Sequence, residues 1–586
     1  MALIAPANAD PSYSDASDWL VALAADPSLA DQAIAAARLG GEFSALSLDW
    51  AMVLGLAYWQ LQRYGEGLSI LEYFDHTQVS NPHYFALFGM ICRQLPAQES
   101  RALASYLRAL ELDPSRPDIH YNVGNLLKET QPDKALSHYR KSLCLKVDDS
   151  VVWHNYGSLL NDEDDQLGSL QALKNSLLLK PEDADAWCSL GLTLFQLERF
   201  LAAQSCFQKS ISLDQGHSSS HVNCGQVLIE ILQPENALYF LERGVELDST
   251  SSNSLWNLAL AFLLLGRYKE GWRYYEARFH TKEFGVHKPP TSVNLPPFLE
   301  SLPGPTDPEL IVWSEQGIGD GIQFCRYLPM LQARNINFRL LAHEHLISFY
   351  QDWMGLGDQV CLKLNSNPSS DTRPNISMLS LPHLFQTELS TVPSATPYLR
   401  APGPTPSHLQ VGQAPGGLNV GVVWASNPNN RHMYRHKSLP LPCLIQPLID
   451  LVDLDLIELH SLQVGSDVEQ LDPWRDHERV FDWNGVVDSF SDTAHVINQL
   501  DLVISVDTAV AHLAGALNKQ TWLLLPHNAD FRWLHQRDDS PWYPSMRLFR
   551  QKKRGDWQSV ITELQAALNG LFILDLPALA DAKLTR

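Results

Sequence analysis

The sequence predicts a multidomain chain in two halves: an all-α superhelix of stacked helix pairs, then an α/β region of two parallel-sheet lobes, the first of them short. Three observations predict it. Small residues recur through the first half with a period of about 34 residues. Short apolar runs alternate with helical patterns through the second half. Two proline- and glycine-rich stretches divide the parts. At 586 residues the chain is also too long for one core.

The period is carried by Gly55, Gly89, Gly124, Gly157, Gly191, Gly225 and Ala259, spaced by 34, 35, 33, 34, 34 and 34 residues. That is the period of a helix-turn-helix array. Trp153 and Trp187 stand four residues before their glycines, Ala203 and Ala237 twelve after theirs, and Phe207 and Tyr275 sixteen after the small residue of their repeats. Pro181 falls where one repeat must end. The demand behind the pattern is packing, because no helix pair can bury its apolar faces alone. The small residue is expected to let two helices approach, and the aromatic to fill the gap to the next pair. A stack of pairs has a concave groove, usually used to hold a peptide or a partner protein. The array is assigned to residues 47–282, and residues 1–46, with DASDWLVALAA and LADQAIAAARL, to a degenerate helical cap. His120, His138, His154, His217 and His221 share no helical i, i+4 metal pair and are read as packing or surface residues.

Periodicity stops near residue 280. Residues 283–308 hold seven prolines, which fix φ and remove backbone donors, so an extended linker is expected. Within 309–400, ELIVW, FRLLA and NISML read as strands of a short N-terminal lobe. A second linker, 401–417, leads to a C-terminal lobe over 418–565, where LNVGVVWAS, DLIELHSLQ, DLVISV and QTWLLLP read as buried strands; 566–586 is a tail. Alternation of strand and helix implies parallel sheets, hence two Rossmann-like lobes. Ligands of such sheets sit outside the carboxyl ends of the strands.

Four stretches stand at such ends. In SEQGIGDG, Gly317, Gly319 and Gly321 permit a tight turn after a strand and leave helix-start N–H groups open to a polar or anionic group. Asp320 reads equally well as a general base or as a helix cap. In WASNPNNRHMYRHKSLPL, a loop carrying Asn427, Asn429, Asn430, Arg431, His432, Arg435, His436 and Lys437 is notably basic for an acidic chain. It suits a diphosphate, or is simply a solvated loop. In VDTAVAHLAGALNK, Asp507 closes a strand, Thr508 takes the N-cap position, and His512 lies on the same helix face, so the three can converge on one bound group. Read alone, this stretch is a cap and a core histidine. Finally, HNADFRWLHQRDDSPWY, with Asn528, Asp530, Arg532 and Trp533, can wall a nucleotide site or pack the last helices.

Gly319-Asp320 after the first strand, and Asp507, Thr508, His512, Leu513 and Ala514 as Asp-Thr-x-x-x-His-Leu-Ala, resemble the GT-B glycosyltransferases of the heptosyltransferase type over about residues 309–560. The 34-residue pattern resembles the tetratricopeptide repeat. Together they resemble bacterial repeat-plus-glycosyltransferase proteins and are similar in domain order to the O-linked N-acetylglucosamine transferases. The resemblance implies a GT-B fold and inverting, metal-independent transfer from a nucleotide-sugar, the donor substrate, with no other cofactor. It places Asp320 as catalytic base. It places Gly317, Gly319, Asn427, Arg435, Lys437, Asp507, Thr508 and His512 around the donor. The short N-terminal lobe, beside a repeat array, points to a protein or peptide acceptor held in the groove. The competing reading is a non-catalytic scaffold on a relic transferase fold.

Composition narrows the classes. A net charge of −23 is no footprint of a general nucleic-acid binder. Eight cysteines without a C-x-x-C pair read as buried small hydrophobes of a reducing compartment. The start has no basic, apolar leader, and the apolar runs are strand-sized, so a cytoplasmic chain with no transmembrane segment is expected.

Overall fold

The computed structural model describes residues 15–39, 47–281, 309–315, 317–353, 356–362, 373–414, 417–429 and 431–573. The linker over 283–308, Asn430, and the side chains of Arg431 and His432 lie outside the described residues, as do the first residues of the cap and the end of the tail. The chain divides into two compact units, 1–220 and 221–586.

The first unit is helical. After the cap helices Ala16–Ala25 and Ala30–Leu39, helices alternate along the repeat, as in Pro82–Arg93 with Glu99–Leu112 and Pro117–Leu127 with Pro132–Leu145. Aspartate, asparagine, serine or a first-turn proline starts most of them, satisfying or removing the orphan N–H groups of the first turn. The periodic glycines do allow close approach. A Cβ on Gly89 would lie 2.7 Å from the Tyr106 ring, on Gly124 2.6 Å from Tyr139, on Gly157 2.8 Å from Leu173, and on Gly191 2.5 Å from Phe207. In each case the large residue belongs to the second helix of the same pair. The aromatic therefore fills the inside of a pair, not the gap to the next one, and leucine serves at Leu173. Successive pairs are tied by polar bonds as well, Asn155 Nδ2 donating to Tyr121 Oη at 2.8 Å.

The histidines of this unit bond to neighbouring side chains. His120 and His138 share a hydrogen bond between their Nδ1 atoms at 3.0 Å. His154 meets Ser189 at 2.9 Å. Among the described residues no group of three or more His, Cys, Asp or Glu side chains is placed to hold a metal ion.

The second unit begins with the last helix pairs and continues into the α/β region. The N-terminal lobe has a parallel sheet of β1 (Leu310–Trp313), β2 (Phe338–Ala342), β3 (Val360–Leu362) and β4 (Asn375–Ser377), in the order β3-β2-β1-β4. The C-terminal lobe has β5 (Leu418–Val423), β6 (Ile457–Ser461), β7 (Val480–Asp482), β8 (Leu502–Val506), β9 (Thr521–Leu525) and β10 (Met546–Arg550). Its order, β10-β9-β8-β5-β6-β7, is parallel throughout. Counted within the lobe it is 3-2-1-4-5-6, the doubly wound dinucleotide-binding order, with its switch point between β5 and β8. The final helix, Trp557–Ile573, runs past residue 565, where the sequence placed the lobe's end.

The expected boundary between array and lobes is not a boundary of packing. Tyr268, Trp272 and Tyr275, from the last periodic helix, share one core with Leu310, Phe324, Phe531 and Trp542. Trp272 sits edge-on to Phe324 and Phe531, each 5.8 Å away between ring centres, and Trp542 Nε1 donates to Tyr268 Oη at 3.0 Å. Arg278, wholly buried just after this helix, forms a two-pronged ion pair with Glu315 in the turn after β1, Nε to Oε2 at 2.9 Å and Nη2 to Oε1 at 2.6 Å. Ser377 at the end of β4 also donates to Glu315, and Arg278 reaches Glu276 and Ser380 as well. A buried pair this fully bonded is costly to break from one side, because the remaining charge is stranded.

Candidate interlobe site

The two switch points face each other. The turn after β1 carries Glu315 and Gly317, and Gly319 and Asp320 lie in the first turn of the helix Ile318–Phe324 that follows it. The loop after β8 carries Asp507 and Thr508, and the helix Ala509–Ala516 follows. These helices approach closely at Gly319, where a Cβ would stand 2.9 Å from the His512 ring and 3.6 Å from Ala509 Cα. A side chain at 319 would push the lobes apart, so glycine is required here for close approach.

Thr508 is the N-cap, its Oγ1 accepting from Ala511 N–H at 3.4 Å. Asp507, 6% exposed at its side chain, accepts from Lys437 Nζ at 2.6 Å. Burial pushes the Asp507 carboxyl up, but Lys437 outweighs it and brings it to about 2. Burial works against the charge on Lys437, and Asp507 more than restores it. His512 Nε2 lies 3.8 Å from Asp507 Oδ1, and its Nδ1 shares a hydrogen bond with Tyr543 Oη at 2.9 Å. The ring stacks on Trp533 at 5.2 Å. Burial lowers His512 to about 4 despite Asp507, so near neutral pH it is an uncharged ring and its closeness to Asp507 is no ion pair.

Asp320 serves two partners. Its Oδ2 accepts from Gly317 N–H at 3.2 Å, which caps the short helix, while its Oδ1 accepts from Arg532 Nη2 at 2.5 Å. Burial raises the Asp320 carboxyl, Arg532 pulls it back, and Asp530 and Glu315 raise it further, leaving it above the ordinary range. Arg532 is also held by Asp530, Nη1 to Oδ1 at 2.7 Å. Among the described side chains the centre thus brings together three carboxylates and two cations, beside a neutral imidazole.

Of the residues singled out in the sequence, Asp320, Gly319, Lys437, Asp507, Thr508 and His512 come together. Gly317 stays at the helix start, its N–H taken by Asp320. Asn427 and Arg435 are exposed, and Asn427 spends its Oδ1 on the N–H of Asn429 in a local turn. Arg532, Asp530, Trp533 and Tyr543 stood out in the sequence only as a polar, aromatic stretch; the structure makes Arg532 a charge that pairs across the lobes. Its partner Asp320 is 212 residues away, and no local signal encodes the pairing.

Two segments match tetratricopeptide-repeat models. Residues 100–131 match a model described as TPR repeat, and residues 184–217 one described as Tetratricopeptide repeat. The second segment covers the pair in which Gly191 meets Phe207, and the first runs from the second helix of one pair, with Tyr106, into the first helix of the next, with Gly124. The protein FlbA of Caulobacter vibrioides is 24% identical over 362 residues, 53% of this chain and 54% of FlbA, so the chain spans about half the length of this curated relative. Among solved structures, PilF of Pseudomonas aeruginosa is similar at 22% identity, covering 34% of this chain and 90% of that one, with a TM-score of 0.30. MamA from Desulfovibrio magneticus is similar at 19%, covering 29% and 96%, with a TM-score of 0.28. The chain therefore carries tetratricopeptide repeats ahead of a parallel-sheet α/β region. Among the described residues no helix is long and apolar enough to cross a membrane.

Proposed function

We propose that the α/β region is a glycosyltransferase of the GT-B kind that takes a nucleotide-sugar between its lobes, and that the repeats bring it a protein or peptide acceptor. The observation that carries this reading is the convergence of strand-end loops from both lobes. Asp320 comes from one lobe, Lys437, Asp507 and Thr508 from the other, and Gly319 lies against His512. Transfer at an anomeric carbon needs a base on one side and charge stabilisation on the other. Asp320 takes the proton of the acceptor hydroxyl as its oxygen bonds to the anomeric carbon. The bond from that carbon to the phosphate oxygen breaks, and the nucleoside diphosphate leaves with the bonding pair beside Lys437. Attack opposite the leaving group inverts the anomeric centre. The raised Asp320 carboxyl favours proton uptake. On the repeats, a recess of about 220 Å3 lined by Lys128, Tyr139, Asn155 and Asp162 offers donors and acceptors to a peptide.

A specific observation favours a second reading, a protein-binding scaffold without catalysis: Asp320 is fully engaged by Arg532 and by the cap of Gly317. One pair of measurements separates the two. Under the first reading, a panel of nucleotide-sugars includes a donor that raises the melting temperature, since a ligand binding only the folded state stabilises it. Asp320→Asn then binds that donor without transferring its sugar. The scaffold reading stands if no donor shifts the melt, and unimpaired transfer by Asp320→Asn removes Asp320 from its role.

A further inference from the structure

The Asp320–Arg532 pair is half made. The Arg532 side chain is 9% exposed and its guanidinium lies 4.5 Å from the centre of the Phe531 ring. Nη1 is anchored on Asp530 and Nη2 reaches Asp320, while the buried Nε has no hydrogen-bond partner among the described residues. Nε and Nη2 form the side-on edge of a guanidinium. Arg278 uses that same edge to grip both oxygens of Glu315. Arg532 offers it to one oxygen of Asp320, whose other oxygen caps Gly317. A two-pronged oxyanion would use the edge better, and phosphate has the matching geometry.

The charge count points the same way. With His512 neutral, Asp320, Asp507 and Asp530 outnumber Lys437 and Arg532 among the described side chains, so a diphosphate that binds here competes with an aspartate for a cation. Lys437–Asp507 lies within the C-terminal lobe, whereas Arg532–Asp320 joins the two lobes. Exchanging the second removes one bond between the lobes and leaves each lobe's own bonds and their shared core intact.

We propose that the Asp320–Arg532 pair is an interlobe latch, opened when a diphosphate group takes the Nε–Nη2 edge of Arg532 and so frees Asp320. This rests on the donor reading above and deepens it: the base is released only when the leaving group is in place. Arg532 keeps its anchor on Asp530 throughout, so the edge is held still for the incoming group.

Inorganic pyrophosphate, titrated into the full chain by calorimetry, tests the latch. Asn at 320 retains an oxygen for the Gly317 N–H, so the helix start survives while the competing charge is gone. Asp320→Asn is expected to bind pyrophosphate about tenfold more tightly than wild type, through loss of one like charge and one competing bond. Arg532→Gln is expected to lose binding. Arg532→Lys, which keeps the charge without the planar edge, is expected to bind at least about fivefold more weakly than wild type. Amide exchange at residues 317–320 is expected to speed up when pyrophosphate binds wild type. If wild type binds and Asp320→Asn gains nothing, or exchange there is unchanged, the latch alone is overturned. If neither pyrophosphate nor any nucleotide-sugar binds wild type or Asp320→Asn, the donor reading falls and the latch falls with it.

Discussion

Lys437 and Asp507 hold each other charged in a nearly closed place, and that makes the pair unforgiving. Removing the ammonium strands a carboxylate held at about 2. Lys437→Met is expected to cost about 3–5 kcal/mol in urea denaturation. The double variant Lys437→Met, Asp507→Asn should recover more than half of that, and a strictly additive double variant would show the two side chains are not coupled. His460 makes a different commitment. Trp483 Nε1 donates to its Nδ1 at 3.2 Å, so its Nε2 carries the hydrogen that meets Asn419 Oδ1 at 3.0 Å. Burial holds this neutral ring down at about 4. In the unfolded chain the ring takes a proton below 6.5, while the folded one does not until about 4. Its contribution is therefore complete above that upper value and is lost as the pH falls toward the lower one, by up to about 1.4 kcal/mol per pH unit. The stability of the second unit should fall between these values, with a shallower slope in His460→Gln. An unchanged slope would mean that His460 is already charged when folded.

At the scale of elements, two glycines test what a glycine is for. A Cβ at Gly124 would come within 2.6 Å of the Tyr139 ring, while at exposed Gly570, in the last helix, it would meet nothing within 4 Å. Gly124→Ala is expected to destabilise by about 1–3 kcal/mol through overpacking. Gly570→Ala should stabilise by about 0.5–1 kcal/mol by restricting the unfolded chain. Unfolding monitored by circular dichroism should move in opposite directions, and a gain at both sites would remove the close-approach argument. The first glycine was legible in the sequence because each repeat restates the same steric demand. The strands beyond the strongest apolar runs were not: β3 and β7 have three residues each, and β10 reads MRLFR, whose arginines disguise an edge strand with Met546, Leu548 and Phe549 buried. The same scale explains why one basic residue of the helix Arg431–Lys437 enters the cleft and another does not. Arg435 and Lys437 are two positions apart, which puts them on opposite sides of a helix. The Asp-Thr-x-x-x-His spacing was legible because strand end, cap and helix face are all local. The junction of Arg532 with Asp320 depends on how the lobes close, which no local pattern records.

Over the whole molecule, proline content misplaces the seam. The linker at 283–308 marks a change of composition, but the aromatic cluster of Tyr268, Trp272 and Tyr275 belongs to the same core as Phe324, Phe531 and Trp542. A fragment starting at 309 would expose that face and lose the partner of Glu315, so it is expected to aggregate or melt without cooperativity. A fragment covering 218–586 keeps both and should unfold in one transition. Cooperative melting of the shorter fragment would show that the last repeat is dispensable to the lobes.

That seam also sets a rule for how such a chain can change its reach. Repeats of 34 residues can be gained or lost as whole units where each one touches only its neighbours. The repeat bearing Trp272 and followed by Arg278 cannot be copied or deleted in that way, because its second face is shaped for β1 and its turn rather than for another helix pair. Growth and shrinkage are open toward the start of the array and closed at its end, so the length available to a partner can vary while the lobes keep one invariant neighbour.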